Sequence, residues 1–173
     1  FRTWQVKINA PKKLPKNIPA EQISGVIRAA KLQLGLNTRE KYSHLALSRL
    51  LSNRKTLNHL TVLLSIELLF ATGMRVGELV TIQCKDVYLQ QGKIKLMGKG
   101  ARERYVFIPE QGLMKLLKSY LKLRMVSQPI TEYLLVNSRG TPASTQFIRG
   151  LLNKLVQSAN LPQALTPHMF RHS

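Results

Sequence analysis

Residues 57–71 read LNHLTVLLSIELLFA, a run that is apolar on nearly every side of a helical wheel. A helix without a polar face has no surface to show to water, so this one is expected as a buried helix at the centre of the molecule. It is too short to cross a bilayer, which takes about 20 residues, and it carries His59 and Glu67. Gly73 breaks it.

The flanking sequence supplies narrower apolar stripes. Ile23, Val26, Ile27, Ala30 and Leu34 recur at helical spacing, and a second helix is expected over 42–51. Beyond Gly73 a short helix restarts through Arg75, Glu78, Leu79 and Ile82. The pattern changes at Asp86. Residues 87–89, 93–97 and 104–108 read as three short strands, parted by turns at 90–92 and 98–100, and so as an antiparallel meander. Helical stripes return with Leu113, Leu116, Leu117, Tyr120 and Leu121, and again with Ile148, Leu151, Leu152 and Leu155. Between them lie a short apolar run, 133–136, and a turn at 138–142. Thr166 and Pro167 suit the cap and first turn of a last helix. The expected fold class is therefore mainly α (α+β), a helical domain with a small three-stranded antiparallel sheet at one side.

With 173 residues the chain suits one domain with its own core. Pro11, Lys12, Lys13, Pro15, Lys16 and Pro19 mark an extended basic linker, in which Trp4 also falls. Residues 1–14 are expected to be the remnant of an interdomain linker and 15–173 a single domain. Because the chain opens on Phe1 and stops at Ser173 within a pattern, it is expected to be a fragment of a longer protein. It contains no internal repeat and no low-complexity segment.

Charge narrows the partners. Lys and Arg number 27 against 8 Asp and Glu, a formal net charge of +19. Such a surface repels itself unless a polyanion is nearby, either nucleic acid or an anionic membrane. The cations are spread along the whole chain, which favours a folded face that tracks phosphates. No long basic helix with a wide apolar face argues for a membrane surface. Cys84 is the sole cysteine, which excludes an internal disulfide and a Cys-based zinc site and suits a reducing compartment. Asp86 is the sole aspartate, and the glutamates are scattered at 21, 40, 67, 78, 103, 110 and 132. Two-metal phosphoryl chemistry needs clustered carboxylates. Phosphoryl chemistry on this chain would instead need cationic side chains where the metals would sit.

Three motifs bear on that chemistry. Residues 71–79 read ATGMRVGEL; Gly98-Lys99-Gly100 is followed by Arg102 and Arg104; and 166–173 read TPHMFRHS. Their order and spacing resemble the catalytic domain of the tyrosine recombinase, or phage integrase, family, from about Leu14 to the last residue. The resemblance implies that Arg75 and Arg171 grip a scissile DNA phosphate. A guanidinium suits this, being always charged and able to donate paired hydrogen bonds to phosphate oxygens. Lys99 would protonate the leaving 5′ oxygen. His168 would assist at the phosphate or with the nucleophile's proton. Glu78, three residues after Arg75 on the same helical face, would hold the arginine's geometry. Lys93, Lys95, Arg102 and Arg104 read as DNA-binding charges that position phosphates. The implied partner is double-stranded DNA, with self-association into a tetrameric synapse, in the cytoplasm; no metal and no cofactor is implied.

From the residues alone plainer readings stay open: Arg75 as a helix cap or surface partner of Glu78, Lys99 as a solvated turn lysine, His168 as a buried histidine. His172 reads as structural, and His44 and His59 as incidental. The family pattern further requires a histidine or tryptophan and the tyrosine nucleophile downstream of Arg171. Tyr42, Tyr88, Tyr105, Tyr120 and Tyr133 all precede His168 and read as core or strand packing. No nucleophile is therefore assigned in this chain, which is expected to bind DNA without cutting it, while a longer parent would cut and rejoin strands without metal or ATP. Two other functions fit the composition: a type IB topoisomerase with similar residues, and a non-enzymatic DNA-binding module.

Overall fold

The structure is a computed structural model and describes residues 19–38, 42–50, 56–98, 102–161, 165–167 and 169–171. The expected linker 1–14, with Trp4, lies outside these residues, as do Lys99, His168 and His172; the side chains of His44 and Arg171 are likewise undescribed. Along the chain run α1 (Ala20–Gln33), α2 (His44–Leu50), α3 (Leu57–Thr72), α4 (Val76–Thr81), β1 (Val87–Tyr88), β2 (Lys93–Met97), β3 (Glu103–Phe107), α5 (Gln111–Val126) and α6 (Thr145–Ser158). Tight 3-10 turns at Cys84–Asp86 and Met169–Arg171 complete the described elements. The mainly helical fold with a small antiparallel sheet is as the sequence implies.

The apolar run is the axis of the molecule. α1, α5, α6, α4 and the Met169–Arg171 turn all pack against α3, while α2 rests on α5. Leu57, Leu60, Leu63, Leu64 and Leu68 are fully buried. Each such leucine contributes about 1.5–3 kcal/mol relative to exposure, so enclosing α3 is the main source of cohesion. His59 is exposed on this helix.

The polar residues of α3 are buried with partners. Thr61 donates to the Val136 carbonyl at 2.9 Å and meets the Tyr120 hydroxyl at 3.2 Å, and that hydroxyl accepts the Val136 N–H at 3.0 Å. Ser65 donates back to the Thr61 carbonyl at 2.7 Å. The Tyr42 hydroxyl donates to Glu67, fastening the start of α2 to α3. Burial raises the Glu67 carboxyl above its ordinary range, although the Tyr42 bond and Lys31 pull the other way. Arg124, buried at the end of α5, donates to the Tyr133 carbonyl from Nε at 3.1 Å and from Nη2 at 2.8 Å, and also to the Thr131 carbonyl.

The sheet is a meander of order β1-β2-β3, antiparallel throughout. Ile94 pairs with Val106 and Leu96 with Arg104, on the face turned to the core. Lys93, Lys95, Tyr105 and Phe107 occupy the outward face.

The boundaries differ in small ways from those expected. Strand β3 begins one residue earlier, at Glu103, because the Gly98 N–H bonds to the Arg102 carbonyl at 2.8 Å and so sets the register. β1 stops at Tyr88, and the helix expected over 42–51 starts at His44. The expected helix start at Thr166 and Pro167 is a single 3-10 turn among the described residues, opened by the Met169 N–H on the Thr166 carbonyl at 3.0 Å. Residues 134–136 are fully buried and make isolated bridges at their margins, Gln83 with Tyr133 and Val136 with Pro142. Among the described residues no helix is long and apolar enough to cross a membrane.

Tyr120→Phe is expected to strand the buried Val136 N–H and lower stability by about 1–3 kcal/mol. Urea unfolding measures this, and a loss within experimental error would mean that the hydroxyl is dispensable to the core.

Candidate active site and nucleic-acid interface

The site grows out of the way α3 ends. Gly73 takes the left-handed conformation at φ 61°, where a side chain is disfavoured, and its N–H closes on the Leu69 carbonyl at 3.1 Å. The chain then turns sharply. Met74 is buried as an anchor, and Arg75 stands at the N-cap of α4 in extended conformation, with φ −79° and ψ 148°.

Glu78, one turn into α4, reaches back to this cap. Its Oε2 accepts the Arg75 backbone N–H at 2.7 Å, which is the glutamate half of a capping box. Its Oε1 accepts from Arg75 Nη1 at 3.2 Å. From across the sheet Arg104 Nη2 donates to Oε2 at 2.9 Å. One carboxylate therefore holds one backbone donor and two guanidinium groups. Glu78 is 7% exposed, while Arg75 is 60% and Arg104 40% exposed. Burial alone would raise the Glu78 carboxyl, but the Arg75 N–H and the two guanidinium groups outweigh it and hold the carboxyl below the usual carboxylate range.

Arg75 opens onto a cleft of about 670 Å³ lined also by Gly77, Thr81, Met97, Gly98 and Arg149. Met97 and Gly98 are the last described residues before the β2–β3 hairpin that carries Lys99 in sequence. The cleft thus brings Arg75 beside the root of that hairpin. Arg149 was not singled out from the sequence. It lies on the exposed side of α6, away from the Ile148–Leu152–Leu155 stripe. A cation off an apolar stripe is common, so only the packing of α6 against α4 picks it out. Arg171 belongs to the turn that packs on α3, the helix that leads into Arg75. Among the described residues no group of three or more His, Cys, Asp or Glu could hold a metal ion.

The four hairpin cations have different surroundings. Lys93 lies over the rings of Tyr105 and Tyr88, at 4.6 and 5.4 Å from their centroids. Lys95 pairs with Glu103 at 3.2 Å and stands 3.8 Å from Asp86. Arg102 is exposed. Arg104 turns inward to Glu78. Pleat parity explains the split: Lys93 and Lys95 fall on the outward face, Arg104 on the core face with Val106.

The phage integrase family model matches residues 40–173. The chain belongs to the phage integrase family. Among curated proteins it is similar to tyrosine recombinase XerD of Staphylococcus saprophyticus, 39% identical over 111 residues, a match that covers 62% of this chain and 37% of that protein. XerD of Halalkalibacterium halodurans is 36% identical with the same coverage. The match thus spans little more than a third of the length of these relatives. Among solved structures the fold is similar to that of XerA recombinase, with a TM-score of 0.69 and 24% identity over 92% of this chain and 49% of that one. It is similar also to XerH bound to its difH substrate before cleavage, with a TM-score of 0.65 and 21% identity over 99% of this chain and 45% of that one.

The depressed Glu78 carboxyl makes a testable statement. A group with a folded pKa below its unfolded value stabilises fully above the unfolded value, about pH 4.3 for glutamate, and loses that contribution as pH falls through the folded value. The stability gap between wild type and Glu78→Gln is therefore expected to be widest at neutral pH and to close in acid. Urea midpoints across that range measure it, and a gap independent of pH would mean that the arginines do not hold the carboxylate.

Proposed function

We propose that the chain is the catalytic part of a site-specific DNA recombinase that cuts and rejoins strands through a 3′-phosphotyrosine intermediate. The observation that carries this reading is the cleft in which Arg75, gripped at its backbone and its guanidinium by Glu78, opens beside the root of the Lys99 hairpin. A preorganised guanidinium in such a cleft stabilises charge as it develops on a pentacoordinate phosphorus. In this reading Arg75 and Arg171 bind the scissile phosphate, Lys99 protonates the leaving 5′ oxygen and His168 assists at the phosphate. Glu78 keeps Arg75 in place.

Arg102 and the outward lysines Lys93 and Lys95 then meet neighbouring phosphates of double-stranded DNA. Copies of the protein assemble on that DNA as a synapse, and the work is done in the cytoplasm, where Cys84 stays a free thiol. The environments of four of the five tyrosines support a nucleophile from beyond Ser173. Tyr42 and Tyr120 are buried and engaged through their hydroxyls, and Tyr88 and Tyr105 flank Lys93 in the sheet. Domain limits at about residue 15 and beyond Ser173 belong to the same reading.

The test compares the chain as given with a version continued through the residues encoded after Ser173. Each is incubated without metal with duplex DNA that the chain selects from a random-sequence pool, nicked at successive positions, then denatured and probed for a covalent adduct. An adduct is expected from the continued version alone. Arg75→Ala is expected to reduce it by on the order of 100- to 1,000-fold while costing little more affinity than one phosphate contact. Salt-sensitive binding with no adduct from either version would instead make this a DNA-binding module.

A further inference from the structure

Among the described cations of the hairpin, Arg104 is the one that turns to the core face and to Glu78. It sits opposite Leu96 on the core face of the sheet, and its Nη2 ends on Glu78 Oε2 at 2.9 Å. The same oxygen takes the Arg75 backbone N–H at 2.7 Å. β3 and the Arg75 turn, 29 residues apart in sequence by their arginine numbers, thus meet on a single atom. Two residues before Arg104, the Arg102 carbonyl accepts the Gly98 N–H at 2.8 Å and closes the base of the hairpin. That approach is close: a Cβ on Gly98 would meet the Arg102 carbonyl oxygen at 3.2 Å. A displacement of Arg104 is therefore passed to the hairpin root rather than absorbed by a slack loop.

Charge adds a second consequence. With Arg75 as its only cationic partner, the Glu78 carboxylate would draw that guanidinium back from the cleft. Arg104 shares the carboxylate's charge, so the cluster of two guanidinium groups and one carboxylate keeps a net positive charge at the cleft wall.

We infer that Arg104 is a positioning residue, which fastens the β2–β3 hairpin to the Arg75 turn through the shared Glu78 carboxylate and leaves the Arg75 guanidinium able to turn to a phosphate. This rests on the recombinase reading and replaces the phosphate-contact role that the sequence suggested for Arg104. Lys93 and Lys95 keep that role, because they stand on the other face.

Two measurements separate the roles. The first is DNA binding by this chain and its Arg104→Gln variant across a range of salt. The second is adduct formation by the continued version at saturating DNA, with Arg104→Gln, Arg104→Lys, Glu78→Gln and the Arg104→Gln/Glu78→Gln double variant, alongside thermal melting of each. For a positioning residue, the slope of log affinity against log salt stays at the wild-type value. Cleavage at saturation falls by on the order of 100-fold, Arg104→Lys recovers part of it, and the double variant is no worse than Arg104→Gln alone. A slope shallower by about 0.9, with cleavage at saturation near wild type, would make Arg104 a phosphate contact and overturn the inference. A cleavage loss that merely follows a fall in melting temperature and returns on cooling would overturn it too. If wild type itself forms no adduct, the recombinase reading falls, and the salt slope alone then decides whether Arg104 touches DNA.

Discussion

A helix with no polar face must be enclosed on every side, and α3 organises this chain by that demand. α1, α5 and α6 enclose it along its length, and α4 and the Met169–Arg171 turn join them. The same demand fixes where chemistry can occur. A buried helix reaches the surface only where it ends, and α3 ends at Gly73, whose left-handed turn exposes the next residues but one. Arg75 thus follows directly on the most deeply buried helix of the protein while its guanidinium stands 60% exposed. A site on such a support has little room to drift from the geometry its chemistry needs.

Three of the acids, Glu67, Glu78 and Asp86, act as internal fasteners, whereas Glu21, Glu103, Glu110 and Glu132 are exposed. Glu67 holds Tyr42, Glu78 holds Arg75 and Arg104, and Asp86 accepts the Gln83 N–H at 3.1 Å at the head of the turn into β1. These three acids sit where a carboxylate joins two elements, and Glu78 and Asp86 are buried. With 8 acids against 27 cations, each carboxylate used inside is one fewer to offset the surface cations.

What could be read from the sequence follows from what acts locally. α3 announced itself by its lack of any polar face, and β2 was read at its observed limits because Gly bounds it on both sides. Arg75 and Glu78 were legible through the motif at residues 71–79, whose resemblance to the family rests on a contiguous stretch of sequence. The function of Arg104 was not. Lys93, Lys95, Arg102 and Arg104 look alike as cations, and only the strand register decides which face each takes; shifting β3 by one residue exchanges inward for outward. Arg124 was missed for a related reason: its acceptors are the carbonyls of Thr131 and Tyr133, and backbone acceptors leave no mark in side-chain identity. Arg149 joins the Arg75 cleft through the packing of α6 on α4, a contact between segments far apart in the chain.

The charge balance and the fold are finally one problem. A net charge of +19 on 173 residues strains a compact state by self-repulsion, and the exposed glutamates Glu21, Glu103, Glu110 and Glu132 offset little of it. The fold tolerates this because its cohesion comes from enclosing α3, which is indifferent to charge, and because on the outward face of the sheet Lys93 lies over aromatic rings and Lys95 pairs with Glu103. A polyanion that meets the outer surface removes repulsion that exists only in the compact form. Its binding is therefore linked to stability, and the folded chain gains by mass action whatever the ligand prefers in it over the unfolded one. The same excess of cations that costs the isolated chain stability is what such a ligand recognises.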